Sequence, residues 1–343
     1  MKGHARDGLV HVGGDARQRF YDSRGYGRPR DGDDVVIAPV EAAHLLFRGD
    51  LDAVTVDGED CGFADYLARQ GPGFGARFVV YADLRDRGFY LSPARDGWVD
   101  DSGGIDFVVY PRGDGPWDDT EAYRVRTVSE RADVAASALG DVTLAVVDEE
   151  SDITYFETER LTLPADAAET PPAADGVLLD DRVVVWNPPE TLHHAFFYGQ
   201  PLTGRAAEHA PLQLSLVEAA HLAAVGALSV DGGVEAVVAH GRDAEGDRFD
   251  RRLRAYRALR DAGYTPKTGF KFGADFRVYH DIEDADNLGH SPWLVRSLPA
   301  DHTFSPRDVA LDVRLAHGVR KRMVFALDAQ DSPDWLAVSR LTP

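Results

Sequence analysis

Three side chains in the C-terminal part of this chain, Tyr279, His290 and Lys321, have the types needed to cleave a phosphodiester without a metal. A base takes the proton of the attacking oxygen, an acid protonates the departing one, and a fixed cation stabilises the charge that develops between them. Tyr279 closes the word DFRVY, and His290 follows eleven residues later, across the polar stretch DIEDADNLG. Lys321 follows a segment of helical period, where a cation meets the negative end of the helix dipole. Each residue also has a plainer explanation. A tyrosine at a strand end ordinarily packs with its hydroxyl at the surface, and a loop histidine, one of twelve in the chain, is ordinarily solvated. Lysine is scarce, however. Only Lys2, Lys267, Lys271 and Lys321 stand among 37 basic residues, and Lys321 lies between Arg320 and Arg322. In a chain that otherwise uses arginine, a compact ammonium at this point suits a reacting phosphate.

The unit that must position these residues occurs twice. Val40-Glu41-Ala42-Ala43-His44-Leu45 recurs letter for letter at Val217–Leu222. Tyr81, Leu84-Arg85-Asp86 and Gly88 return as Tyr256, Leu259-Arg260-Asp261 and Gly263, and Asp106–Tyr110 (DFVVY) returns as Asp275–Tyr279 (DFRVY). The offset moves from 177 to 175 to 169 and back to about 180, as loop insertions require. An ordered series of matches of this kind is an internal duplication. The first copy is incomplete. Tyr110 matches Tyr279, but the region 111–124 opposite His290 contains no histidine, and Asp141 stands opposite Lys321.

Each copy reads as two modules, one small and strand-rich and ending in the VEAAHL helix, the other built of helix, strands, helix and strand. Expected bounds are 1–70 and 71–162 for the first copy, 177–245 and 246–343 for the second, with the Pro/Ala-rich stretch 163–176 as an extended linker. Breaks within the copies are expected near 65–75 and 240–250. Ser215 with Glu218 three residues later is a capping box, and Pro39 takes the first-turn position in copy one. Ser305-Pro306-Arg307-Asp308 opens another helix with Ser305 as N-cap. Its apolar residues Val309, Val313, Ala316 and Val319 follow helical spacing, and 276–280, 293–298 and 323–328 read as strands. The expected class is α/β (α+β): two tandem diverged repeats, each with a helix-flanked mixed sheet.

Composition limits the setting. Acids outnumber bases 58 to 37, for a net charge of −21. Acid-rich, lysine-poor surfaces suit very high intracellular salt, where repulsion is screened over a few ångströms and an acidic protein can approach RNA. One cysteine, Cys61, excludes an intramolecular disulfide and a cysteine-based zinc cluster. With no signal peptide and no apolar run of spanning length, the expected location is cytoplasmic.

The words KTGFKFG, DFRVY, His290-Ser291 and VRLAHGVRKRM, with the two-copy layout, resemble the archaeal tRNA-splicing endonuclease family in its duplicated-subunit form. The resemblance implies an endonuclease that cuts precursor tRNA at a bulge-helix-bulge, without cofactor or metal, leaving a 2′,3′-cyclic phosphate and a 5′-hydroxyl. Tyr279 takes the place of the base, His290 of the acid and Lys321 of the charge stabiliser. Arg314 and Arg340 match the arginines that hold a bulge base, and Arg160 is the copy-one counterpart of Arg340. The resemblance also implies a homodimer, joined by an acidic loop whose counterpart here is Asp148, Glu149, Glu150 and Asp152, with Ser151 among them. Pro292-Trp293 departs from the family pattern. Two other readings stay open: a Mg²⁺-dependent DNA nuclease of similar sheet architecture, drawing on Asp275 and Asp281, and a non-catalytic RNA-binding subunit.

Overall fold

A computed structural model describes residues 1–164, 170–202, 210–280, 289–329 and 332–343. Ten strands build one continuous sheet. In chain order they are β1 (Leu91–Pro93), β2 (Phe107–Val109), β3 (Tyr123–Ser129), β4 (Val142–Val147), β5 (Ile153–Leu161), β6 (Thr265–Thr268), β7 (Phe276–Tyr279), β8 (Trp293–Pro299), β9 (Arg322–Asp328) and β10 (Asp334–Leu341). Their lateral order is β6-β7-β8-β9-β10-β5-β4-β3-β2-β1, so the second copy runs outward from the centre as the mirror order of the first. The central pair, β5 and β10, is antiparallel, with Thr158 opposite Val338. These two residues are 180 apart, the offset that aligns Arg160 with Arg340. Each is therefore the other's counterpart, and an internal two-fold axis passes beside them.

Joining the copies through β5 and β10 removes one edge strand from each half, edges being the part of a sheet most open to unwanted pairing. Strands β4, β9 and most of β10 are covered on both faces and are accordingly apolar rather than alternating, whereas β5 keeps Glu157, Glu159 and Arg160. In β9, Met323, Phe325 and Leu327 enter one core, whereas Val324 and Ala326 enter another. The first of these cores is shared. Leu144, Val146 and Phe156 of copy one meet Phe325, Leu336 and Val338 of copy two under the helix Pro306–Gly318. On the opposite face each copy has its own core, covered by the helix Phe74–Asp86 in the first and Asp247–Asp261 in the second.

The two halves differ where the shared core is covered. A short ribbon pairs Val134 with Phe304. From that pair to the next sheet strand the second copy has room for the helix Pro306–Gly318, but the first is ten residues shorter and has only the turn Ala136–Ala138.

Four sequence expectations change in the structure. Ser305 occupies the N-cap position, but its side chain makes no capping hydrogen bond; Pro306 at the first turn sets the helix start. The end of the expected linker is a strand, Ala174–Asp175, paired in parallel with Leu228–Ser229. The expected break at 240–250 narrows to Gly246, which separates the helices Gly233–Glu245 and Asp247–Asp261 with φ 60°. Nor do the N-terminal modules end at the VEAAHL helices. In copy one the helix Pro39–Phe47 is followed by strands Ala53–Val56 and Glu59–Cys61, which complete a six-stranded sheet. The capping box of the helix Leu216–Ala224 forms as expected: Ser215 Oγ accepts from the Glu218 N–H, and the Glu218 carboxylate accepts from the Ser215 N–H.

Candidate active site

Sheet register brings Tyr279, His290 and Lys321 to one end of three neighbouring strands. Tyr279 is the last residue of β7, His290 and Ser291 precede β8, and Lys321 precedes β9. Val278 lies opposite Trp293 across the antiparallel pair β7/β8. Trp293 lies opposite Arg322 across the parallel pair β8/β9. One residue beyond that row, toward the same end of the sheet, stand Tyr279, Pro292 and Lys321. Strands spaced about 4.8 Å apart leave the Tyr279 and Lys321 backbones roughly 10 Å from each other, a gap that long side chains and a phosphate can bridge.

Local contacts fix each group. The Lys321 ammonium donates to the Ser291 carbonyl at 2.5 Å and also to Ser291 Oγ, which ties the start of β9 to the start of β8. Ser291 is buried, as is Tyr279, whereas His290 is exposed. Burial lowers the Lys321 pKa from its usual value, and the nearby Arg277 charge lowers it further. His290 Nε2 donates to the Arg320 carbonyl at 2.8 Å; since a carbonyl only accepts, this nitrogen carries the proton. Arg320 has φ 58°, the left-handed region in which a side chain is strained. Its counterpart in copy one is Gly140, for which a positive φ costs little. Strain of this kind concentrates at functional sites, and here it turns the Arg320 carbonyl toward His290.

Behind the site, Phe197 packs its ring 5.9 Å from that of Tyr279, and Lys267 lies 4.8 Å from the same Phe197 ring. Lys267 donates to Glu218, a buried ion pair at 2.7 Å. Sequence reasoning did not pair these two residues, although Glu218 was placed in the capping box and the rarity of lysine had set Lys267 apart, and Ser291 carried no signal beyond its place after His290.

The first copy has the frame without the chemistry. Tyr110 is buried like Tyr279, and its hydroxyl is hydrogen-bonded to Ser92 Oγ at 2.8 Å. Residues 111–122 lead from β2 into β3 without a histidine, and Asp141, with φ 57°, precedes β4 where Lys321 precedes β9.

Arg314 and Arg340 are both exposed, the first on the helix Pro306–Gly318 and the second on β10 opposite Phe156. Arg160 is used differently. It donates to the carbonyls of Ala136 (2.6 Å) and Leu139 (2.7 and 3.1 Å) and pairs with Asp334 at 2.5 Å. It thus stabilises the turn that replaces the helix missing from copy one.

The acidic tip 148–152 joins β4 to β5. Asp148 is a turn-former, accepting from the backbone N–H of Glu150 and of Asp152 at 2.9 Å each. Glu149 pairs with Arg131, and Glu150 and Asp152 are exposed. Asp275, considered as a Mg²⁺ ligand, is buried and engaged: one carboxylate oxygen meets Arg248 (2.5 Å) and Arg252 (3.3 Å), and the other accepts from the Ser297 N–H (2.8 Å). Its counterpart Asp106 likewise accepts from the Thr127 N–H (2.7 Å), so this carboxylate pins strands together in both copies. Asp281 lies outside the described residues, and among those residues no cluster of three or more His, Cys, Asp or Glu is placed to hold a metal ion. No described helix is long and apolar enough to cross a membrane.

Comparison with known proteins gives the family. The family model for the tRNA intron endonuclease N-terminal domain matches twice, at residues 1–67 and 174–238. The model for the catalytic C-terminal domain matches at 249–335, the copy that holds Tyr279, His290 and Lys321. Full-length relatives named tRNA-splicing endonuclease include that of Natronomonas pharaonis, 62% identical with 100% of both chains covered. That of Haloferax volcanii is 59% identical, again over 100% of both chains. That of Methanosarcina acetivorans is 34% identical over 99% of each. The chain therefore belongs to the tRNA intron endonuclease family, enzymes of tRNA splicing.

Proposed function

We propose that the chain cuts precursor tRNA at the intron–exon junctions of a bulge-helix-bulge by metal-independent transesterification in its second copy. The observation that carries this reading is the meeting of Tyr279, His290 and Lys321 at the ends of β7, β8 and β9, in the half matched by the catalytic-domain model. Tyr279 takes the proton of the ribose 2′-hydroxyl. The 2′-oxygen then bonds to phosphorus and the bond from phosphorus to the 5′-oxygen breaks. His290 protonates that departing oxygen, and Lys321 stabilises the extra negative charge on the phosphorane-like transition state. The Arg320 carbonyl holds Nε2–H, so in the doubly protonated ring Nδ1–H is the proton available to the leaving oxygen. The products are a 2′,3′-cyclic phosphate and a 5′-hydroxyl.

Arg314 and Arg340 recognise the RNA, consistent with their exposure and with the general reading of RNA by planar groups stacked on splayed bases. The working species is a homodimer in which each first copy acts as a structural subunit, and the 148–152 tip contributes to docking.

The test is cleavage of a bulge-helix-bulge RNA in molar potassium chloride with EDTA, followed by analysis of the new ends. Cyclic phosphate and 5′-hydroxyl ends are expected. Cleavage that depends on Mg²⁺, or that leaves a 3′-hydroxyl, would overturn the reading.

A further inference from the structure

We infer that Arg277 is a phosphate anchor of the candidate active site, binding the RNA backbone beside the scissile bond; the inference rests on the proposed RNA cleavage. In the antiparallel pair β6/β7, Lys267 lies opposite Arg277 and Thr265 opposite Tyr279. Paired residues share a sheet face, so both cations point to the side that carries the Tyr279 ring. The Arg277 guanidinium lies 5.5 Å from the centre of that ring. Its charge also reaches Lys321.

Like charges placed directly opposite on a sheet destabilise it. Lys267 is neutralised by Glu218 at 2.7 Å. Arg277 is in no ion pair among the described residues, and its buried Nε has no hydrogen-bond partner. A guanidinium of that kind awaits an anion.

Comparison of the two copies isolates the feature. The strand pair equivalent to β6/β7 is β1/β2, where Ser92 lies opposite Val108. Both cations are therefore absent from the half that also lacks the histidine and the lysine. Val108 is fully buried there, so the fold does not need a charge at this position. An arginine suits a phosphodiester better than a lysine, because its planar fork donates two parallel hydrogen bonds to the phosphate oxygens.

Binding is measured with a precursor RNA carrying 2′-deoxyribose at the junction, which lacks the nucleophile, and cleavage is measured with the all-ribose form. Arg277→Val installs the residue of the first copy. It is expected to weaken binding roughly tenfold or more at moderate salt, and to lower the slope of log affinity against log salt by about one. It is also expected to leave thermal stability equal or higher, since a cation opposite Lys267 is gone. Arg277→Lys is expected to restore the salt slope and part of the affinity. Unchanged binding by Arg277→Val, or weaker binding accompanied by a clear loss of stability, would overturn the inference. A lower cleavage rate with full RNA affinity would overturn it too, and would assign Arg277 to holding Tyr279. Wild-type protein that binds the RNA but does not cleave the all-ribose form would reject the proposed reaction while leaving the comparison of Arg277 variants valid. Failure to bind at all would reject both.

Discussion

Lys267 and Glu218 are each nine-tenths buried and pair at 2.7 Å, which fastens the catalytic-like sheet of copy two to its N-terminal module. Lys267 also donates to the carbonyls of Phe197 and Gly199, at 3.2 and 3.0 Å, so the whole ammonium is used. In copy one the equivalent carboxylate, Glu41, accepts from the Gly27 and Ala38 N–H groups at 2.8 and 2.7 Å, but Ser92 stands where Lys267 would be. One buried carboxyl therefore has a cation in direct contact, and the other has backbone hydrogen bonds with only the more distant Arg28 and Arg85 charges. Removing the counter-charge by Lys267→Met leaves Glu218 buried and unpaired. The expected cost is about 3–5 kcal/mol of folding stability, measured by denaturant unfolding in molar salt. Equal stability of this variant would mean that the pair is replaceable.

The same contrast makes opposite predictions about pH. Burial raises the Glu41 carboxyl to about 7, the two N–H bonds and the Arg28 and Arg85 charges offsetting only part of that effect. Its unfolded value is about 4.3. The folded chain holds the extra proton between those values, so stability from Glu41 is full below about 4.3 and falls as pH rises toward 7. Burial also opposes ionisation of Glu218, but Lys267 and the Ser215 and Gly199 N–H groups outweigh it and hold the carboxyl at about 2. Stability from Glu218 is therefore full above about 4.3 and is lost as pH falls toward 2. Glu41→Gln is expected to flatten the decline between about pH 4.3 and 7, whereas Glu218→Gln flattens the acid limb. Melting curves across pH at fixed salt decide this, and identical profiles for the two variants would contradict it.

The triad divides rate from binding. His290→Ala is expected to slow single-turnover cleavage by roughly 10²–10⁴-fold, the usual share of a general acid, with RNA affinity kept because His290 is exposed and among the described residues bonds to the Arg320 carbonyl. Lys321→Ala removes the cation and also the tie to Ser291, so its loss should be larger and accompanied by some loss of stability. Asp141→Lys in copy one should create no second centre, since no histidine faces it. A second cleavage centre in that variant would refute the structural role of the first copy.

Arg160 and Arg340 occupy matching positions but should fail in different assays. Arg160→Ala leaves the carbonyls of Ala136 and Leu139 without their donor and frees Asp334, so a loss of stability of about 1–3 kcal/mol is expected. Arg340→Ala should leave stability within about 0.5 kcal/mol, as an exposed change does, and weaken RNA binding. Paired melting and binding curves test this, and a stable Arg160→Ala with weakened binding would exchange the two roles.

What could be read from the sequence followed from local signals. The VEAAHL duplication, the Ser215–Glu218 capping box and the DFVVY/DFRVY pair are short words whose physics is contained in a few residues. They located the duplicated units and brought Tyr279 into view. The joining of β5 to β10 was not legible, because each strand would be equally content with any apolar neighbour and nothing local names its partner. The ten-residue deficit that removes a helix from copy one was hidden in the drifting offset. Lys267 was conspicuous by type, yet its partner Glu218 lies 49 residues away and belongs to another module, a relationship that only the folded chain reveals. Ser305 illustrates the converse: a good N-cap residue in the right position whose hydroxyl is not used.

The acidic tip 148–152 gives the last prediction, and its geometry sharpens the choice of variants. Neutralising all four acids together would confuse two effects, because Asp148 shapes the turn through the Glu150 and Asp152 N–H groups and Glu149 is paired with Arg131. Glu150 and Asp152 are the exposed acids that remain for a partner. If this tip docks against a second copy, Glu150→Gln with Asp152→Asn should weaken the dimer by about 2 kcal/mol or more, the lower range for truncating one side of a buried charge pair, which is roughly thirtyfold in Kd. Folding stability of the dissociated chain should be unchanged. Asp148→Asn, in contrast, should act through the turn and lower stability as well. Molar salt screens exposed attraction over about 3 Å, so any effect that survives there belongs to contact pairs. Sedimentation in matched molar salt, with cleavage assayed on the same samples, separates the cases. Unaltered self-association of the double variant would reject the tip as a docking element, and an active wild-type monomer would reject the dimer itself.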